Sequence, residues 1–392
     1  MAAAAAGGDG PSAARRFNST FSSLPTTIFE QMSLLAAKHQ STNLGQGFPD
    51  NELEGPESMK KVMISLYEHS NQYPPLMGLP ELRQAVAAHS ARHAGIPVDW
   101  QAETLVTVGA TEALAAAFLG LLDAGDEVIF FEPLYDSYVP MARRAGAIPR
   151  IVQLYPPAWS IDAAELEAAF SPQTKLLVLN TPHNPTGKVF GAEELQLIAD
   201  LCQKHDCLCL LDEVYEHLVF PGTRHTSLQS LPGMRERCLR VGWLSGPHDL
   251  LAAVTKAHQF LIFTVPSALQ RAVAYGLEQE EAFCCGLGAA LSKKRQLLEG
   301  QLAEIGFAVL PAQGTYFLVA DFAGLLPAGS SEDDVQFCHR LTVEAGVTLI
   351  PVSAFYADRA ATPRTLVRFV FCKTDEKLNT ACGKLRTYFG RQ

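Results

Sequence analysis

Short apolar, β-rich runs alternate with helical stretches through the middle of the chain, and each run stops at Gly, Asn, Asp or Pro. Leu105–Val108 leads into a Gly-started helical pattern, Glu127–Phe131 into Glu132-Pro133, Lys175–Leu179 into Asn180-Thr181-Pro182, and Leu208–Leu211 into Asp212. This rhythm predicts an α/β fold with a mostly parallel sheet, whose functional groups sit on the loops after the strands' carboxyl ends. From Ala289 the pattern changes. Ala289–Ile305 reads as a helix, and Phe307–Leu310, Tyr316–Ala320, Val347–Ile350 and Leu366–Phe371 read as strands with helical patterns between them, which suggests a smaller α+β domain. No internal repeat is present.

Composition narrows the function classes. At 392 residues the chain has room for two or three domains of roughly 150 residues. Its 31 Lys and Arg against 41 Asp and Glu give a net charge of −10, and no basic block is long enough to form an arm, so nucleic acid is a poor partner. The longest apolar run, Ala113–Leu122, is too short to cross a bilayer. The 9 cysteines form no CxxC pair and no zinc-type spacing; they read as reduced, mostly buried thiols, and no metal is expected. Residues 1–16 are Ala/Gly-rich with Arg15 and Arg16, a composition open to two readings. As a disordered tail it leaves the chain cytoplasmic; as a transit peptide it makes the chain organellar.

Several loops carry residues suited to chemistry. Gly109-Ala110-Thr111 follows a strand and opens a helix, so the amides of Ala110 and Thr111 can seat an anion such as phosphate, although many strand-to-helix turns look alike. No GxGxxG follows a strand, which argues against a dinucleotide. Asn180-Thr181-Pro182-His183-Asn184-Pro185-Thr186-Gly187 is a rigid turn that leaves the Asn184 amide free over a strand end; the plain alternative is a purely structural turn. Asp212 and Tyr215 end an apolar strand, where singly they would be a cap and a half-buried amphipath. Arg368 lies in the otherwise apolar Leu366–Phe371, suited to gripping a carboxylate if it faces a cleft and to a surface ion pair if it does not.

Taken together, these pieces resemble the fold-type I, pyridoxal 5'-phosphate-dependent aminotransferases of class I/II. Asn43-Leu44-Gly45-Gln46-Gly47-Phe48-Pro49-Asp50, Asn71-Gln72-Tyr73 and His258-Gln259-Phe260 are similar to the kynurenine/glutamine/methionine branch, and the resemblance covers about residues 25 to 390. It implies transfer of an amino group between an L-amino acid and a 2-oxo acid, with cysteine-S-conjugate β-lyase activity as a side reaction. By resemblance, Ala110 and Thr111 bind the cofactor phosphate and Tyr135 stacks on the ring. Asn184 and Tyr215 hold the ring hydroxyl oxygen, and Asp212 faces the ring nitrogen and keeps it protonated. Gly47 and Arg368 match the substrate-carboxylate clamp, and Phe29 matches an aromatic lid over the substrate side chain. Tyr73 and the segment with Phe263 match groups supplied by a second subunit, which implies a homodimer. The expected division is a disordered tail at 1–24, an N-terminal arm of the small domain at 25–50, a large cofactor-binding domain at 51–285 and a small domain at 286–392.

One departure matters. The family attaches its cofactor to a lysine in a Ser-x-x-Lys-type loop shortly before a Gly-Trp-(Lys/Arg)-x-Gly motif, and here no lysine occurs in the 51 residues between Lys204 and Lys256. Arg237-Cys238-Leu239-Arg240 runs straight into Val241-Gly242-Trp243-Leu244-Ser245-Gly246-Pro247, as if the loop had been excised. Arg240 is either the last residue of the upstream strand or a phosphate-binding Arg brought up to the cut. Lys256 reads as an ordinary helix lysine and Lys188 as a solvated one. The cut is also expected to leave a sheet strand short or missing, with unpaired edges. Three readings follow: an aminotransferase by ancestry whose segment was lost to altered splicing or a faulty gene assembly, a non-catalytic cofactor binder or dimer partner, and a β-lyase that needs the same lysine. An intact in-frame Ser-x-x-Lys exon at the codons for Cys238–Gly242 would favour the first over the second.

Overall fold

Parallel strands buried on both faces by helices must be apolar throughout, because no position meets water. Glu127–Glu132 is wholly buried, and Leu208–Asp212 is buried except for a half-buried first residue. The computed structural model describes residues 18–22, 24–50, 58–357 and 362–390. In chain order the strands are β1 (Thr42–Asn43), β2 (Thr104–Leu105), β3 (Glu127–Glu132), β4 (Ile148–Tyr155), β5 (Ser160–Ile161), β6 (Thr174–Asn180) and β7 (Leu208–Asp212). They continue with β8 (Cys238–Val241), β9 (Leu244–Ser245), β10 (Ala308–Val309), β11 (Phe317–Asp321), β12 (Val347–Thr348), β13 (Ile350–Pro351) and β14 (Leu366–Val370).

Eight strands form one sheet in the order β2-β9-β8-β7-β6-β3-β4-β5. The five from β8 to β4 are parallel, and β9 runs antiparallel between β8 and β2. The fold class is thus the expected one. A strand is present on each side of the point where a strand was expected to be short or missing: β8 has four residues and β9 two, joined by Gly242-Trp243 with Gly242 at φ +137°. A backbone this sharply turned favours glycine. The register of β7 against its neighbours places Asp212 opposite Asn180 on one side and Val241 on the other.

A second sheet, β10-β11-β14-β13, packs with the helices Glu281–Ile305 and Asp375–Phe389 around Phe307, Phe337 and Phe369. The segment before residue 50 joins this body: β1 pairs with β12, and Met32 and Leu44 are buried in the same core. The expected boundary at 285/286 falls inside the helix Glu281–Ile305, which runs through it unbroken. Of the expected tail at 1–24, Ser19–Ser22 form one helical turn; residues 1–17 and 23, and with them the transit-peptide reading, lie outside the described residues. No helix among the described residues is long and apolar enough to cross a membrane. All 9 cysteines are free, and only Cys285 is exposed.

Candidate functional site

A cavity of about 500 Å³ opens at the carboxyl ends of β6 and β7, a size suited to a small molecule. Its lining gathers Phe29, Gly47, Ala110, Thr111, Tyr135, Asn184, Asp212, Tyr215 and Arg368, which the sequence scatters over more than 300 positions. The helix Gly109–Leu121 starts at the cavity with Gly109 at φ +69°, so Ala110 and Thr111 occupy its first turn, where backbone N–H groups have no intrahelical acceptor.

Asp212 sits at the floor, 5% exposed. The Tyr138 hydroxyl donates to its Oδ2 at 2.5 Å, and the Asn180 amide donates to its backbone oxygen at 2.8 Å. Burial raises its carboxyl above the usual range, opposed by the Tyr138 hydrogen bond. Among the described residues no cation offsets that cost. Across the cavity the Arg368 guanidinium is held rigidly. Its Nη1 donates to Asn184 Oδ1 at 2.9 Å and its Nη2 to the Gly45 carbonyl at 2.8 Å, while its plane lies over Phe317, 4.2 Å from the ring centre. Its Nε is buried without a partner. Burial pulls this guanidinium down to about 10, and the nearby Tyr215 and Tyr316 oppose the shift. It therefore remains cationic at neutral pH, with a donor to spare. With the Asn184 oxygen occupied by Arg368, the amide Nδ2 is the group left to donate into the cavity.

The cavity includes groups that sequence reading missed. Tyr138 begins the helix Tyr138–Arg144 and looked like a core aromatic; its spacing of three from Tyr135 was the available signal. Asn180 was read only as part of a turn, because its role depends on the pairing of β6 with β7. Asp136 also lines the cavity, and burial raises its carboxyl while Arg368 lowers it.

Other expected residues lie elsewhere. Arg240 is on β8, as the strand reading had it, and its placement corrects the cofactor-binding assignment. Its Nε donates to Glu213 Oε2 at 2.7 Å and its Nη2 to Glu216 Oε2 at 2.6 Å, so two buried carboxylates consume the guanidinium behind the sheet end. Tyr73 and Phe263 pack edge to face at 5.5 Å on an exposed surface and do not reach this chain's cavity. Among the described residues, Arg368 is the only cation in the lining, and no lysine is present there. Lys256 is exposed on the helix His248–Leu261. Lys188, expected to be solvated, is instead 7% exposed and paired with Glu194 at 2.7 Å, because the turn before it folds inward against Phe190.

The aminotransferase class I and II family model matches residues 39–385. Among curated proteins, the probable N-succinyldiaminopimelate aminotransferase of Mycobacterium tuberculosis is 42% identical, over 92% of this chain and 95% of that protein. The methionine aminotransferase of Escherichia coli is 39% identical, over 93% and 96%. The kynurenine–oxoglutarate transaminase of Dictyostelium discoideum is 36% identical, over 92% and 93%. The solved N-succinyldiaminopimelate aminotransferase of M. tuberculosis superposes with a TM-score of 0.89 at 41% identity, covering 95% of this chain and 99% of that one.

Proposed function

The chain belongs to the aminotransferase class I and II family, and from that premise we propose that its cavity holds pyridoxal phosphate and an α-amino acid but lacks the amine that drives turnover. Family members depend on pyridoxal phosphate, which when bound supplies an electron sink for the charge left on the substrate α-carbon. The donor set fits that cofactor. Asp212, a buried carboxylate with no cation partner among the described residues, is the observation that carries the reading, because burying such a charge is costly unless a positive partner arrives. A protonated pyridine nitrogen is that partner.

In this reading the first turn at Ala110 and Thr111 receives the phosphate, Tyr135 covers the ring, and Asn184 and Tyr215 donate to its hydroxyl oxygen. Arg368 and Gly47 take the substrate carboxylate. The walls around the side-chain space include Phe29 and Phe317, and the one lining cation is spent on the α-carboxylate. Neutral or aromatic donors such as kynurenine, methionine, glutamine or phenylalanine suit such a wall better than acidic ones. Tyr73 and Phe263, in contact with each other and 80% and 45% exposed, are apolar surface that supports a homodimer in which each subunit completes its partner's site.

What the lining does not supply is a basic amine. Removing a general base typically costs about 10²–10⁴-fold in rate, and covalent retention of the cofactor goes with it. The test uses the purified full chain with pyridoxal phosphate, borohydride reduction followed by peptide mass spectrometry, and amino transfer from kynurenine, methionine, glutamine and phenylalanine to a 2-oxo acid. Reversible binding with no fixed peptide and little or no transfer is expected. A reduced adduct on Lys256 or Lys188, or turnover at about 1–10³ s⁻¹, overturns the reading.

A further inference from the structure

Beside the site, sharing Val214 with it, lies a second, rear cavity of about 590 Å³ bordered by the Gly242-Trp243 turn and the helices Pro80–His93 and Ser267–Gln279. Three potential metal ligands converge at its wall. His89 Nε2 lies 3.0 Å from His217 Nε2 and 3.5 Å from Glu216 Oε1, and all three ligand atoms fall within 4.8 Å of one another. We propose that His89, Glu216 and His217 form a site for a divalent transition-metal ion of the zinc type, with a fourth position open to the cavity.

The distances match the geometry of such an ion. Metal–ligand bonds of about 2.0–2.2 Å in a tetrahedron place neighbouring ligand atoms about 3.3–3.5 Å apart, so the two separations from His89 need shifts of only a few tenths of an ångström. Both imidazoles turn their Nε2 atoms toward one point. As a bare pair they can share one proton, with the carboxylate Oε1 3.5 Å from His89 Nε2. Charge also favours a cation. Glu213 and Glu216 face one guanidinium, Arg240, so with neutral imidazoles the cluster keeps one negative charge.

Positioning is provided by the neighbours. Arg240 holds Oε2 of Glu216, which fixes Oε1 toward the histidines in the manner of an outer-shell hydrogen bond. His93 packs its ring 4.5 Å from that of His89 and 4.9 Å from that of His217. No zinc-type spacing is visible along the chain because two of the ligands follow β7 while the third lies 128 positions from His217, on a helix of another part of the chain. This inference is independent of whether the front cavity turns over substrate.

The test titrates the chelator-stripped full chain with Zn²⁺ by calorimetry, and with Co²⁺ by visible absorption, which reports ligand geometry. One equivalent of Zn²⁺ is expected, with a rise in Tm by mass action. His217→Gln and the double variant H89A/H217A should weaken binding by at least about 100-fold and abolish the Tm rise, with the variants' metal-free circular dichroism confirming that they are folded. Cys285→Ser is the control, since His93, Glu281 and exposed Cys285 form a separate group of potential ligands. Loss of binding in C285S with retention in H89A/H217A overturns the proposal, as does failure of the native chain to bind either metal, which would leave the pair as a shared-proton hydrogen bond.

Discussion

Asp212 and Glu213 are adjacent, both almost fully buried, and pushed in opposite directions. Asp212 faces the front cavity and is raised by burial; Glu213 faces the rear, where burial would also raise it but the charge of Arg240 and the hydrogen bond of His225 hold it below the usual range. Side chains alternate across a strand, so one step in sequence moves a carboxylate from one side of the sheet end to the other. The rear carboxylate has its cation built in. The front one has a phenol and, among the described residues, no cation. A charge left without a counter-charge is a marker of a binding site, whereas a completed ion pair marks structure.

That contrast can be broken most directly at the rear. Arg240→Met strands Glu213 and Glu216 without their guanidinium, and it should lower unfolding free energy by about 3–5 kcal/mol in urea titrations. A loss below about 1 kcal/mol would mean that the rear carboxylates are no better partnered than Asp212. Acid titration probes the same cluster. Burial would raise Glu216, but the His89 hydrogen bond and Arg240 hold it at about 2 against an ordinary 4.5. The unfolded chain therefore takes up this proton first as pH falls, and stability present above pH 4.5 is lost toward pH 2. The loss amounts to about 3 kcal/mol, and Glu216→Gln should flatten this limb of the stability curve.

At the front the expected order reverses: ligand binding suffers and stability does not. Asp212→Asn keeps an acceptor for Tyr138 and removes an uncompensated charge, so the free chain should be as stable or more so. Its affinity for pyridoxal phosphate should fall about 10–100-fold by absorbance titration, the value of a hydrogen bond to a charged group. Unchanged affinity would remove Asp212 from the cofactor role. The smallest effect is expected from Tyr138→Phe, which takes away the one side-chain donor to that carboxylate. About 1 kcal/mol of stability and a change of roughly fivefold in affinity should follow, measurable in the same two assays.

The front site was largely legible because its residues stand where strands end, and strand ends are written locally as apolar runs closed by Asn, Asp or Gly. Asn184, Asp212 and Tyr215 could be found that way, and Arg368 stood out as a cation in an apolar run. Tyr138 could not: its ring is packed like core, and only the approach of its hydroxyl to a residue 74 positions away gives it a task. Arg240 carried two readings for a similar reason, since nothing nearby in sequence says whether its partners are carboxylates or a phosphate.

The order of strands and helices, the loops that bear the site and the absence of lysine from 205 to 255 are properties of the chain as written, since each depends on residues within a few positions of one another. The tertiary structure decided which groups meet: Arg240 with Glu213 and Glu216, His89 with His217, and a lining whose single cation among the described residues is Arg368. Local pattern fixes φ, ψ and the direction of a side chain. Electrostatic fate depends on what lies within a few ångströms, and for buried groups those neighbours come from strands and helices that only sheet register and packing bring together.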